Sequence, residues 1–187
     1  MNETFTRYRR VLAGVTDVVE RMPADQWNSP SPCPGWTGFH VLGHIIDGQR
    51  QVAALLSGQG PREPLRDPAE AVVGPPVTAW SGALRSMLEV LGATDPNSRV
   101  ASPHGEVTTE WVLSTAVIEP LVHAWDLAQA GGFEASLDGE AVEACLKAVA
   151  PMAEQFAATG MYAPALPASA QAEPWQRLLA LLGRGTA

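Results

Sequence analysis

The sequence predicts an all-α fold: a four-helix bundle with additional short helices and a long Pro/Gly-rich connection. Three observations carry this. Apolar residues recur at spacings of three and four in each long segment, the pattern of a helix with one buried stripe. Clusters of proline and glycine separate these segments. No alternating strand pattern persists.

The first helix is marked by Phe5, Tyr8, Leu12, Val15, Val19 and Met22, and it stops near "MPADQW". "NSPSPCPGW" follows, a rigid loop with three prolines and a glycine. Thr37 is a good N-cap residue, so a second helix should run from there through "GFHVLGHIIDGQRQVAALL". Ser57 to Pro76 holds five prolines and three glycines and reads as a surface connection without regular structure. A third helix fits Val77 to Leu91, with Trp80, Leu84, Met87, Leu88 and Leu91 on one side. "GATDPNSRVASPHGEV" reads as a loop. The fourth helix fits Thr108 or Thr109 to Ala130, stopped by Gly131-Gly132. A fifth begins near Asp138 and runs through "EAVEACLKAVAPMAEQFAATG", and "WQRLLALLG" forms a terminal helix.

Composition narrows the function. The 187 residues suit one domain, spanning 1–187, with a real core. A net charge of −8 without a basic stripe argues against nucleic acid as a partner. No apolar run is long enough to span a membrane, and "MNETFTRYRR" lacks the apolar stretch of a signal peptide, so a cytoplasmic protein is expected. Cys33 and Cys145 show no zinc-finger spacing and read as reduced thiols. The apolar content suits a homodimer, but no interface is readable.

The chemistry concentrates in "TAVIEPLVHAWDLAQA". Glu119 and His123 are four apart, so on a helix they share a face. Their flanks are apolar, and a buried carboxylate needs a partner or a proton. One reading is a Glu–His hydrogen bond in the core. The other is a divalent metal, for which carboxylate oxygen and imidazole nitrogen are both good ligands. The chain has four histidines, His40, His44, His104 and His123. His44 lies in an apolar stretch of the second helix, and an antiparallel neighbour would bring it opposite Glu119 and His123. Three ligands with an open position suit a catalytic site, since structural zinc sites close with four. His40 has three readings: a fourth ligand, a proton shuttle or a polar residue at the helix start. Pro120 removes a backbone bond to Ala116 and should kink the helix.

Three pieces carry a resemblance: "SPCPGWTGFHVLGHIIDGQ", "EPLVHAWDLAQAGG" and the tail "WQRLLALLGR". With them the chain resembles the DinB/maleylpyruvate isomerase-like superfamily, in its branch of small actinobacterial metal-binding proteins. The resemblance implies a bundle of DinB-like type with a bound divalent metal. It implies His44, eight residues after Trp36, together with Glu119 and His123, as the ligands. A small acidic residue is usual in that family where His40 stands. The implied chemistry is thiol-dependent isomerisation or S-transfer with mycothiol, bacillithiol or a similar small thiol, acting on a small-molecule electrophile. A metal with an open position holds a thiol as thiolate. For cis–trans isomerisation, the thiolate adds to carbon, the new single bond rotates, and elimination restores the double bond. Zinc suits this ligand set, and nickel, iron and manganese also use such ligands. A bundle that binds metal or ligand without turnover is the alternative.

Other residues have two readings each. Asp126 either orients a ligand or pairs with an arginine such as Arg50. Cys33 is a redox or substrate-adjacent thiol, or a small apolar residue in a tight Pro-Gly turn. Cys145 reads as core beside Val142 and Val149, and Trp36, Trp111 and Trp125 as core or pocket wall.

Overall fold

The computed structural model describes residues 2–103, 105–158, 160, 162–169 and 171–185. They fall into two compact units, Met1–Ser136 and Leu137–Ala187. Both are mainly helical.

The first unit begins with α1 (Glu3–Arg21), capped by Asn2, whose side chain accepts from the Phe5 amide. The predicted stripe is buried from Phe5 to Met22. α2 (Gly38–Leu56) starts after Thr37 as expected. α3 (Pro76–Ala93) opens with Pro76 in its first turn, where the missing amide costs nothing. α4 (Thr109–Ala116) and α5 (Ile118–Ala130) complete the unit. α1 packs on α3, α4 and α5, and α2 packs on the same three. Polar pins cross the apolar interfaces: Trp80 Nε1 donates to Thr16 Oγ1 at 2.9 Å, and the buried Tyr8 hydroxyl donates to Gln49 Oε1 at 3.0 Å.

The continuous fourth helix is corrected to two. Pro120 has no amide to offer Ala116, and the helix breaks at Val117, between α4 and α5. Val117 itself keeps helical dihedrals, φ −62° and ψ −26°, so the interruption is local. The "loop" before α4 is corrected too. Strands β1 (Arg99–Ser102) and β2 (Gly105–Thr108) pair antiparallel, Val100 opposite Val107. An Arg99–Glu106 ion pair at 2.7 Å joins them.

The Ser57–Pro76 connection is more ordered than its composition suggests. Pro68–Ala71 forms a 3-10 turn that packs on α2. Gly43 permits the approach: a Cβ there would lie 1.9 Å from the Pro68 carbonyl oxygen. The buried Asp47 carboxylate fastens the connection by accepting from the Leu65 amide at 3.0 Å.

In the second unit, α6 (Gly139–Val149) is capped by Asp138 and buries Val142, Cys145 and Val149, as read. The predicted continuation is interrupted. Pro151 lies in a 3-10 turn, Ala150–Met152, before α7 (Ala153–Ala158). α8 (Pro174–Leu181) packs on α6 through a helix that buries Leu178 and Leu179. No helix among the described residues is long and apolar enough to cross a membrane.

Candidate metal centre

The site is built from α2, α5 and the loop that precedes α2. The helix break before α5 starts a new turn at Ile118, and Glu119 and His123 stand one turn apart on one face. α2 packs against α5 and brings His44 opposite them. His44 Nε2 lies 3.1 Å from Glu119 Oε2, and His123 Nε2 lies 3.2 Å from the same oxygen. The two imidazoles meet edge to face, with ring centres 4.7 Å apart. All three residues singled out in the sequence are thus in contact.

Exposure divides the group. The His44 and Glu119 side chains are 37% and 38% exposed, whereas that of His123 is 6% exposed. The cluster therefore opens on the His44–Glu119 side and is closed behind His123. There Asp126, fully buried, holds His123 Nδ1 through Oδ2 at 2.8 Å. Of the two readings of Asp126, the contact with His123 is the one seen here. Arg50 instead donates to the Ala71 carbonyl.

His123 sits between two carboxylates, one at each ring nitrogen. Burial by itself would lower its pKa. Hydrogen bonds to Asp126, Cys33 and Glu119 outweigh burial and raise it well above the ordinary value. The pocket around this ring favours positive charge, which a proton or a divalent cation can supply.

The loop before α2 forms the remaining wall. Pro34 and Gly35 occupy the middle of a tight turn, Gly35 at φ 78°, closed by the Trp36 amide donating to the Cys33 carbonyl at 3.0 Å. Trp36 tilts over the site, its ring centre 5.1 Å from that of His44 and 6.3 Å from that of His123. Cys33 does occupy a tight Pro-Gly turn, yet it is also beside the site. Its thiol donates to Asp126 Oδ2 at 3.3 Å and lies 3.9 Å from His123 Nδ1. The sequence weighed Cys33 and Asp126 separately and missed this contact. No local spacing joins positions 33 and 126.

His40 proves to be a capping residue. Its Nδ1 accepts from the Thr37 amide at 3.2 Å and lies 2.9 Å from Thr37 Oγ1. Its other nitrogen is 3.7 Å from Asp67. This is the part an acidic residue plays in the third position of a capping box. Trp125 is buried, but Trp111 is 40% exposed and is not part of the core, a correction to that half of the sequence reading. It lies in the first turn of α4, and its amide donates to the Thr108 cap. His104 falls outside the described residues.

Comparison with known proteins identifies the family. The domain family described as "Mycothiol maleylpyruvate isomerase N-terminal domain" matches residues 8–128. The chain belongs to this family. The match contains every residue of the cluster. Two relatives from Mycobacterium tuberculosis, uncharacterized proteins MT0763 (strain CDC 1551 / Oshkosh) and Rv0738 (strain ATCC 25618 / H37Rv), are each 31% identical over 180 residues. In both cases 95% of this chain and 95% of the relative are covered. The crystal structure of a mycothiol-dependent maleylpyruvate isomerase superposes with a TM-score of 0.62 at 14% identity, over 84% of this chain and 71% of that one. At that identity the likeness establishes the maleylpyruvate isomerase-like fold alone.

Proposed function

We propose that the protein is a divalent-metal enzyme of the thiol-dependent isomerase or S-transferase type. His44, Glu119 and His123 are its metal ligands, zinc its metal, and a small thiol such as mycothiol its co-substrate. The carrying observation is the convergence of two Nε2 atoms from different helices on one carboxylate oxygen, with an open side.

The donor set fits a metal. Asp126 engages His123 Nδ1, which leaves Nε2 as the ligand atom. His44 and His123 offer nitrogen and Glu119 offers oxygen, all within 4.8 Å of one another. A divalent ion bound there supplies a Lewis acid able to hold a thiol as thiolate near neutral pH.

The chain's own residues account for the rest. Asp126 fixes the tautomer of His123. The first turn of α5 carries Glu119 one turn before His123. Trp36 walls one side of the cleft, against the rings of His44 and His123. The half-exposed edge of His44 and Glu119 is where thiol and electrophile enter. Cys33 and Cys145 are thiols outside any disulfide, which suits a reducing cytoplasm.

The test is to supply zinc-loaded protein with mycothiol and an unsaturated electrophile such as maleylpyruvate. NMR of the olefinic protons reads isomerisation, and loss of free thiol reads S-transfer. Turnover of either kind that requires both metal and thiol supports the proposal. A loaded protein that neither turns over substrate nor engages the thiol is a metal-binding bundle without this activity.

A further inference from the structure

We propose that Cys33 is a positioning residue of the metal centre, acting through Asp126 on His123. This rests on the reading of His123 as a ligand, but its geometry stands independently. One oxygen, Asp126 Oδ2, accepts both the Cys33 thiol at 3.3 Å and His123 Nδ1 at 2.8 Å. Asp126 is fully buried, so bulk water does not orient it. Two donors on one oxygen fix the rotation of the carboxylate, and the carboxylate fixes the imidazole. With the thiol gone, one of those constraints is lost.

The loop makes the device rigid. The Cys33 amide donates to Ser31 Oγ at 3.2 Å, and the Cys33 carbonyl closes the Pro34-Gly35 turn. Trp36, the last residue of that turn, stands against His44 and His123. A single four-residue turn thus supports His123 from behind and walls the cleft in front. This gives the "SPCPGW" segment a task that a mere connection would not have.

A competing arrangement uses the same atoms. Cys33, His123 and Asp126 also lie close enough to hold an ion themselves. Hydrogen bonding among these atoms is the alternative to it, and cobalt spectra distinguish the two. His123 Nδ1 is engaged by Asp126, and the thiol donates to the same carboxylate. A proton on Nδ1 leaves that atom no lone pair for a metal.

The experiment compares wild type, Cys33→Ala and Cys33→Ser, with three readouts. Zinc affinity is measured by competition with a chromophoric chelator. Cobalt(II) spectra report any thiolate ligand. Long-range proton–nitrogen spectra of metal-free protein report the His123 tautomer. Partners one step behind a ligand typically contribute about 10–100-fold in metal affinity, and a thiol is a weak donor, so Cys33→Ala should lose about tenfold. The His123 Nδ1 proton signal should shift in the same variant. Serine restores a donor and should recover both, which a packing role for sulfur would not produce.

The proposal is overturned if Cys33→Ala binds zinc as wild type does with unchanged His123 signals. It is also overturned by a thiolate-to-cobalt band in wild type that Cys33→Ser lacks, because Cys33 is then a ligand. If wild type binds no metal, the metal reading falls, and the metal-free spectra alone decide for or against Cys33.

Discussion

Gly43→Ala and Gly48→Ala are the same change in the same helix, and the structure predicts opposite results. At Gly48 an added Cβ meets nothing within 4 Å. Alanine is favoured over glycine inside a helix by about 0.8–1 kcal/mol, so Gly48→Ala should stabilise by roughly that amount. At Gly43 the same gain is opposed by contact with Pro68: the Cβ would lie 1.9 Å from its oxygen and 2.6 Å from its carbon. Both are backbone atoms that no rotamer change removes, so the connection must lift from α2. Overpacking of this kind costs about 1–3 kcal/mol, and so severe an approach belongs at the upper end. The net expectation is a loss of about 2 kcal/mol, or about 4–8 °C in Tm for a chain of this size. Thermal and urea melts followed by circular dichroism, on metal-free protein, read both variants. Gly43→Ala should also weaken zinc binding, because the lifted segment touches α2 beside His44. A Gly43→Ala protein as stable as Gly48→Ala would refute the close packing of the 3-10 turn on α2.

Further outcomes are expected at three residues, Asp126, His123 and Tyr8. Asp126→Asn leaves a side chain of the same shape that no longer demands a proton on His123 Nδ1, and zinc affinity should fall about 10–100-fold in chelator competition. His123 has a folded pKa raised above 6.5, so in metal-free protein its stabilisation is complete below that value and is lost as pH rises through the folded pKa. The urea midpoint should therefore fall on that limb, and His123→Asn should lack this component. Zinc affinity should run the other way and weaken as pH falls, because a proton then competes for Nε2. Tyr8→Phe leaves the buried Gln49 acceptor without its donor, which should cost about 1–3 kcal/mol in urea melts. The Tyr8 phenol, raised far above its ordinary value mainly by burial, should ionise only as the protein unfolds. Absorbance during an alkaline pH jump reads this.

Much of the fold was legible because helices announce themselves locally. The stripe from Phe5 to Met22 and the Thr37 cap both depend on neighbours within one or two turns. The hairpin Arg99–Thr108 was not legible, because four-residue strands are too short to show alternation and only their pairing makes them regular. The Pro68–Ala71 turn was hidden for a similar reason. What orders it is the missing side chain of Gly43, twenty-five positions earlier. Pro120 correctly signalled an interruption, which falls at Val117.

The site divides along the same line. Glu119 and His123 could be paired from their spacing alone. His44 could be joined to them only by assuming that α2 and α5 are neighbours, or by the family resemblance. Cys33 and Asp126 carried no spacing signal at all, since ninety-three positions separate them and only the tight turn and the packing of α2 on α5 unite them. His40, one turn before His44, had three readings in the sequence: ligand, proton shuttle or polar residue at the helix start. In the structure that same turn is the helix start, where the imidazole serves the backbone of Thr37.

The central claim is that α2 and α5 share one metal. Elemental analysis of untagged wild-type protein beside His44→Ala, each incubated with zinc and freed of excess, tests it most directly. The account predicts close to one equivalent in wild type and loss of metal in the variant, with helical content unchanged. Equal metal in both would remove His44 from the centre. Absence of metal from both would leave Glu119 and His123 as a hydrogen-bonded pair and contradict the account.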